Sequence, residues 1–327
     1  MVFRTLRVAL LFVTSLNLTN LPAQDGGCTT RTVPVGVVDR EWNLVQGLSA
    51  ANFRGKLRAH DVEILSASID RSPRHIVLLL DASGSMAMSK ESWHASKSLS
   101  EDLIRFAPPR ASIAQMAFSE MIQNIAGFDQ DRLALLKRQA VVFERLHGGG
   151  RTALYDAVSS ARGAFEVLGF GDVIYAVTDA GDNESRIQPE MLEEDLLRAG
   201  VRLFAVVIAT DPRNSARTPE AMVGPNRLRS MAEATGGDVL NVPFGQSSGP
   251  IPLAYIEAKK MGDRIDLALH RLYQQMGEFY RLDLRLPERV DKPTKWELEV
   301  LDAGGKPNRR VEVRYPQQLM PCAKAGP

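Results

Sequence analysis

Three short stretches of this 327-residue chain carry oxygen donors at spacings that could hold a cation. The first is Asp81-Ala82-Ser83-Gly84-Ser85-Met86, the second Gly148-Gly149-Gly150-Arg151-Thr152, and the third Thr178-Asp179-Ala180-Gly181-Asp182-Asn183. Two carboxylates (Asp81, Asp179) and three hydroxyls (Ser83, Ser85, Thr152) are hard ligands, and these motifs contain neither Cys nor His. That set suits Mg²⁺, Mn²⁺ or Ca²⁺ and argues against zinc or copper. Alternate spacing of Asp81, Ser83 and Ser85 can turn three side chains towards one point as the chain leaves a strand. The glycines before Thr152 would let a loop approach closely. Only two of the five donors are charged, so an open position on the cation would accept a carboxylate from a protein partner. The competing reading is plainer: Ser83 and Ser85 could cap the helix that follows.

The surrounding sequence must bring these loops together. His75 to Leu80 is a continuous apolar run of the kind expected of a strand buried on both faces, and it ends at Asp81. Val173 to Val177 is a second such run, ending before Thr178-Asp179, and Val201 to Ile208 a third. Ile113 to Phe118 and Met121 to Phe128 read as two more strands with a short connection. Between them, Lys90 to Phe106 has helical spacing, with Trp93, Leu99, Leu103 and Phe106 near one face. Asp131 to Leu146, Leu154 to Leu168, Pro189 to Ala199 and Arg227 to Ala234 also read as helices. This alternation predicts an α/β fold: a doubly wound, mostly parallel sheet with helices on both faces. The carboxyl ends of such strands open onto one crevice, which brings Asp81 and Asp179 to the same edge.

Pro243 to Lys260 is rich in Gly, Pro and Ser and reads as a loop. An amphipathic helix is predicted from about Arg264 to Phe279, on the spacing of Ile265, Leu269, Leu272, Met276 and Phe279. Strand-like segments flank the α/β region. Val33 to Val38 and Val62 to Leu65 precede it; Arg281 to Leu286, Trp296 to Leu301 and Arg310 to Tyr315 follow, with a hairpin-like turn at Ala303-Gly304-Gly305-Lys306. The economical organisation is a small β unit from the N- and C-terminal strands (24–71 and 281–327), with the α/β domain (72–280) inserted.

Arg4 and Arg7, the apolar core Val8 to Val13 and the small residue in Leu21-Pro22-Ala23 read as a signal peptide over 1–23. Asn17, Thr19 and Asn20 make it too polar to persist as a membrane span. The expected location is therefore secreted or periplasmic. The two cysteines, Cys28 and Cys322, stand near opposite ends of the mature chain, and an oxidising compartment favours a disulfide between them over free thiols.

In its order of motifs the chain resembles the von Willebrand factor A (VWA) domain family. Asp-x-Ser-x-Ser at Asp81, Ser83 and Ser85, a glycine-flanked Thr152 and a strand-ending Thr178-Asp179 are similar to that family's metal-ion-dependent adhesion site (MIDAS). The resemblance covers roughly residues 72 to 245. With the flanking strands and Thr152-Ala153-Leu154-Tyr155-Asp156-Ala157, it extends to a secreted bacterial subgroup called VWFA-related proteins. It implies that Asp81 anchors the metal directly or through water and that Ser83 and Ser85 ligate directly. Thr152 would ligate in some states, and Asp179 would act through a bound water. One departure is Ala180, where relatives often carry Gly. The function implied is protein binding or cell adhesion through the cation, not catalysis.

Other functional classes find less support. The net charge is +1 with Lys and Arg spread along the chain, which disfavours nucleic acid as partner. A metal-dependent hydrolase or phosphoryl-transfer enzyme is the alternative. Haloacid-dehalogenase-type chemistry, however, needs a second Asp where Ser83 stands, and no Gly-rich loop ends in Lys followed by Ser or Thr. No Ser/His/Asp or Cys/His set can be placed together. An intracellular ATPase partner, a role some VWA proteins have, is opposed by the signal peptide. His60, His75, His94, His147 and His270 are scattered and read as surface or packing residues, as do Trp42, Trp93 and Trp296. Asp182 and Glu184 read as solvated loop charges.

Overall fold

The computed structural model describes residues 29–145, 148–209, 219–242 and 251–322. The expected signal peptide, Cys28 and His147 lie outside them. The chain opens with β1 (Thr30–Val38), a 3-10 turn (Ala50–Asn52), β2 (Phe53–Leu57) and β3 (His60–Asp70). It continues through β4 (His75–Asp81), α1 (Gly84–Met88), α2 (Lys90–Phe106), β5 (Ser112–Phe118), β6 (Ile122–Asp129), α3 (Arg132–Arg145) and α4 (Leu154–Gly163). Next come β7 (Val173–Thr178), α5 (Pro189–Ala199), β8 (Arg202–Ile208), α6 (Pro219–Ala234), β9 (Asp238–Val242) and α7 (Ile251–Gly277). The chain closes with β10 (Phe279–Arg285), β11 (Thr294–Val300), β12 (Glu312–Arg314) and β13 (Gln318–Leu319).

Strands β4 to β9 form a six-stranded sheet in the order β6-β5-β4-β7-β8-β9, parallel except for the β5–β6 pair. Side chains alternate between its faces with the two-residue period of a strand. Val77 and Leu79 pack with Leu154, Val158, Leu192 and Leu228 from α4, α5 and α6. Ile76, Leu78 and Leu80 pack with Met86, Leu103, Leu135 and Leu272 from α1, α2, α3 and α7. Both faces of β4 are therefore dry, which is why Ile76 to Leu80 is apolar at every position and not at alternate ones.

The remaining strands form an antiparallel sheet in the order β12-β1-β10-β3-β2-β11-β13, drawn from both ends of the chain. β1 runs against β10 from Thr30↔Arg285 to Val35↔Tyr280, and β10 runs against β3. Val35, Leu57, Leu282, Trp296 and Leu298 fill its core. The two sheets meet at Phe279, whose ring lies between the guanidinium groups of Arg74 (4.5 Å) and Arg202 (4.2 Å). Gly171, at φ +79°, lies so close that any Cβ there would enter this ring.

Several boundaries differ from the sequence expectation. Ile251–Lys260 is helix, not loop: Pro252 falls in the first turn, where its missing N–H costs nothing, and Ala254 to Lys260 are mostly good helix formers. Phe279 starts β10 and does not close a helical face. Helix α4 stops at Gly163, short of Leu168. Strands β2 and β9 escape the pattern reading because each is five residues long. The turn at Ala303 to Lys306 is held by the Asp302 carboxylate, which accepts the Gly304 and Lys306 N–H groups. The strands it joins are not ladder partners, however: β11 pairs with β2 and β13, and β12 with β1.

Cys322 lies in the last described segment, with Arg31 Nη2 2.9 Å from its sulfur; the expected pairing falls on Cys28, outside the described residues. No helix among the described residues is long and apolar enough to cross a membrane.

Candidate metal centre

Asp81 ends β4, and Thr178 ends the adjacent parallel strand β7, one register step beyond Leu80↔Val177. The Asp81 side chain is fully buried. Its Oδ1 accepts the Ser83 N–H at 2.9 Å, and its Oδ2 accepts the Thr178 hydroxyl at 2.5 Å. Burial pushes this carboxyl up to about 7, the neighbouring Asp179 charge pushes the same way, and the bonds from Ser83 and Thr178 oppose them. The charge beside it, that of Asp179, is of the same sign. A carboxylate removed from water is costly, and either a proton or a divalent ion would relieve it.

Ser83 occupies the N-cap of α1, where a serine oxygen ordinarily accepts an N–H from the first turn. Here its hydroxyl makes no capping bond. It lies 3.2 Å from the Ser85 hydroxyl instead, with Ser83 buried and Ser85 exposed. The capping reading of the two serines therefore does not describe their arrangement. Two hydroxyl oxygens lie side by side, beside a buried carboxylate, at the exposed end of a parallel strand.

The glycine loop docks on this turn through its backbone. Gly149 N–H donates to the Ala82 carbonyl (3.0 Å), and Gly84 N–H donates to the Gly150 carbonyl (3.1 Å). A Cβ on Gly148 would collide with Ala87, so the close approach requires glycine there. Four residues after Gly148, buried Thr152 is clamped to the third loop. Its N–H donates to Asn183 Oδ1 (2.9 Å), and its carbonyl accepts the Asn183 and Glu184 N–H groups at 2.9 and 3.1 Å.

The third loop turns sharply after Asp179. Ala180 has φ +63°, in the left-handed region, and its N–H donates to the Thr178 hydroxyl at 2.9 Å. A positive φ favours glycine, and an alanine pays about 1–2 kcal/mol there. Asp179 is partly buried, and its Oδ1 accepts the Gly181 N–H at 3.0 Å. Helix α6 packs against the turn, so that a Cβ on Gly224 would strike the Ala180 carbonyl.

Asp81, Ser83 and Ser85 are thus joined by direct contacts, and Asp179 lies close enough for its charge to act on Asp81. Thr152 is tied in through the backbone of Gly149–Gly150 and through Asn183. Among the described residues no group of three His, Cys, Asp or Glu side chains could hold a metal, so a cation here depends on the hydroxyls. Asp182 is not a solvated charge. It is partly buried, it accepts from the Ser185 hydroxyl (2.5 Å), and burial raises its carboxyl above the usual range. Ser185 Oγ in turn accepts the Tyr155 and Asp156 N–H groups at the start of α4. Glu184 is exposed and pairs with Arg151 at 2.9 Å.

Two residues gain a role that the motif reading did not assign: Thr178 as donor to Asp81, and Asn183 as clamp on Thr152. Both stand inside the third motif, so the signal was present without a contact to interpret it. Asn183→Ala should free the Thr152 loop while leaving both sheets intact. Metal affinity should fall roughly ten-fold, the scale of losses from residues that orient a ligand. Calorimetric Mg²⁺ titration checks this, and an unchanged affinity would remove Asn183 from the site.

No protein-family model matches the chain, and no curated protein does. Solved structures do resemble it. The conserved hypothetical protein BatB from Bacteroides thetaiotaomicron is 15% identical, with 58% of this chain and 99% of that one covered at a TM-score of 0.43. A von Willebrand factor type A protein from Catenulispora acidiphila is 13% identical over 90% of this chain and 74% of that one, at a TM-score of 0.42. Proximal thread matrix protein 1 from the mussel byssus is 20% identical over 62% of this chain and 48% of that one, at a TM-score of 0.41.

Proposed function

We propose that this chain is a secreted or periplasmic, non-enzymatic binding module of the VWA type, with a doubly wound α/β domain that engages a protein partner through one divalent cation. The observation that carries the reading is the Ser83 hydroxyl, which stands at a helix N-cap yet turns to Ser85 beside the buried Asp81 carboxyl. The donor set fits Mg²⁺ or Mn²⁺, with Ca²⁺ as the larger alternative. Asp81, Ser83 and Ser85 would hold the ion, with Thr152 and Asp179 completing its surroundings. When bound, the ion would be matched in formal charge by Asp81 and Asp179, but its remaining protein donors are neutral hydroxyls, and a glutamate or aspartate of the partner would fill an open position among them.

The chain's own residues set the rest. The bond from Thr178 fixes the Asp81 carboxyl, and the glycine loop brings Thr152 up to it. The antiparallel β unit meets the α/β sheet at Phe279, beside Gly171 and Arg202 at the amino ends of β7 and β8, and so on the edge opposite the loops that follow β4 and β7. A Cys28–Cys322 bridge would join the two ends of that unit.

The test is calorimetric titration of the apo protein with Mg²⁺ and Mn²⁺, together with capture of envelope proteins in Mg²⁺ or in chelator. The expected result is one site per chain. Partners should be lost in chelator, restored by Mg²⁺ or Mn²⁺, and displaced by a peptide bearing an acidic side chain. No saturable metal binding would reject the site. Capture that persists in chelator would reject the mechanism while leaving the site standing.

A further inference from the structure

A cavity of about 530 Å³ opens where the two sheets meet. One wall is β9 and the other is β12, each the last strand of its own sheet, and α7 forms the floor. One end is closed by the Thr235↔Pro316 bridge and by the Gln317 N–H donating to the Ala234 carbonyl at 2.9 Å. The cleft lies at the amino end of β9, whereas Asp81 and Asp179 stand at the carboxyl ends of strands in the same parallel sheet. The two sites therefore occupy opposite edges.

Three arginines and three acids line this cleft, but they are not paired one to one. Arg314 reaches across from β12 to a tight ion pair with Asp238, also pairs with Glu312 at 2.9 Å, and lies 4.5 Å above the Trp42 ring. Arg229 lies 4.0 Å from Glu233. Each acid of the lining thus has a basic neighbour. Arg271, projecting from α7 into the same lining, has no hydrogen-bond or ion-pair partner among the described residues. Beside it, Gln275 is nine-tenths buried. Its Oε1 accepts from Arg314 at 2.7 Å, while its Nε2 is out of water with no acceptor. Because Arg314 serves two acids, the Arg271 guanidinium is left unpaired, and it and the unmet amide donor both call for oxygen acceptors. Val239, Leu240 and Leu272 supply apolar surface between them. Trp42, which also borders the cleft, has φ +67°, a conformation a bulky residue holds only where its surroundings impose it.

We propose that this cleft is a second binding site, for a small organic anion with an apolar body whose acidic group pairs with Arg271. The volume lies within the range of pockets that enclose such ligands. The site is independent of the cation, and its failure would leave the metal reading untouched.

The probe is 8-anilinonaphthalene-1-sulfonate, an aromatic anion, titrated by fluorescence with dodecanoate and dodecyltrimethylammonium as competitors below their micellar concentrations. One saturable site is expected, of equal affinity in Mg²⁺ and in chelator, emptied by dodecanoate and not by the cationic amphiphile. Arg271→Glu should weaken binding on the order of ten-fold or more, because a like charge replaces the pairing one. Arg271→Lys should keep it within about three-fold, since a point charge still attracts the anion. Ala268→Trp, which places a ring at the cleft lining, should block it. Circular dichroism should show all three variants folded, since neither residue anchors a described hydrogen bond. Dye binding that survives Arg271→Glu and Ala268→Trp, or that the cationic amphiphile displaces equally, would overturn the proposal.

Discussion

Asp81→Asn is expected to lose metal binding and, in chelator at pH 8, to unfold later than the unsubstituted protein. The two effects share one cause. The carboxyl is fully buried, and folding lifts it from an ordinary 3.8 to about 7, through burial first and the Asp179 charge second. A folded-state value above the unfolded one means that folding favours the protonated form. For the apo protein this contribution to stability is complete below about pH 4 and declines as pH rises through the interval to about 7. Above that the charge is simply carried at a cost. At about 1.4 kcal/mol per unit, the cost at pH 8 approaches roughly 4 kcal/mol, and the amide of Asn, which must still satisfy Thr178, should recover about half or more.

The cation reverses the sign. Saturating Mg²⁺ holds the carboxylate form, so the decline between pH 4 and 7 should vanish in the unsubstituted protein and persist in chelator. Proton and metal compete for the same oxygens, so Mg²⁺ affinity should fall about ten-fold per pH unit below 7 and level off above it. Asp81→Asn should lower that affinity by at least on the order of 100-fold. Urea melts at pH 5 and pH 8, with and without metal, read the first effect; calorimetry reads the second. An apo protein equally stable at both pH values, and a variant that binds Mg²⁺ normally, would place the ion elsewhere.

The strands that position this site were legible because burial on both faces makes their middles, Ile76 to Leu80 and Val173 to Val177, almost wholly apolar. The runs at His75 to Leu80 and Val173 to Val177 read directly as β4 and β7, and the helical spacing at Lys90 to Phe106 and Pro189 to Ala199 coincides with α2 and α5. The three loops stood out for a related reason, since oxygen-bearing residues follow such apolar runs abruptly. Contacts that depend on a partner distant in sequence did not show. Asn183 is an ordinary loop residue until Thr152 is beside it. Asp182 reads as solvated until Ser185 and the start of α4 enclose it. Helix α7 lost its first turns to composition: Gly, Pro and Ser preceding Ile251 coloured the residues after it. The cleft at Arg271 was illegible for the same reason, because its walls come from β9, β12 and α7, and only the meeting of two sheets assembles them.

That meeting depends on Arg202, and Arg202→Met is expected to destabilise the whole chain by about 2–4 kcal/mol. The residue opens β8 and is almost fully buried, at 3% exposure. Its guanidinium donates to the carbonyls of Gln275 (2.9 Å), Met276 (2.6 Å) and Gly171 (3.1 Å) while stacking on Phe279. Gln275 and Met276 lie in the last turn of α7, where carbonyls have no acceptor role left inside the helix and a cation complements the dipole. Burial, with the nearby Arg74 charge adding, pulls the Arg202 pKa down to about 9, so the group is still protonated at neutral pH. Methionine fills similar space and removes the cost of burying that charge, which offsets part of the loss. It also leaves three carbonyls without a donor in a dry joint, each worth about 1–3 kcal/mol, and the larger sum prevails. Lysine should rescue only in part, since a compact ammonium can neither fork to three acceptors nor stack on Phe279 as a guanidinium does. Urea unfolding of the apo protein at pH 7 measures the difference. A methionine variant within about 0.5 kcal/mol of the parent would show that the two sheets hold together without this clasp. A lysine variant as stable as arginine would show that charge alone, and not the forked geometry, caps α7.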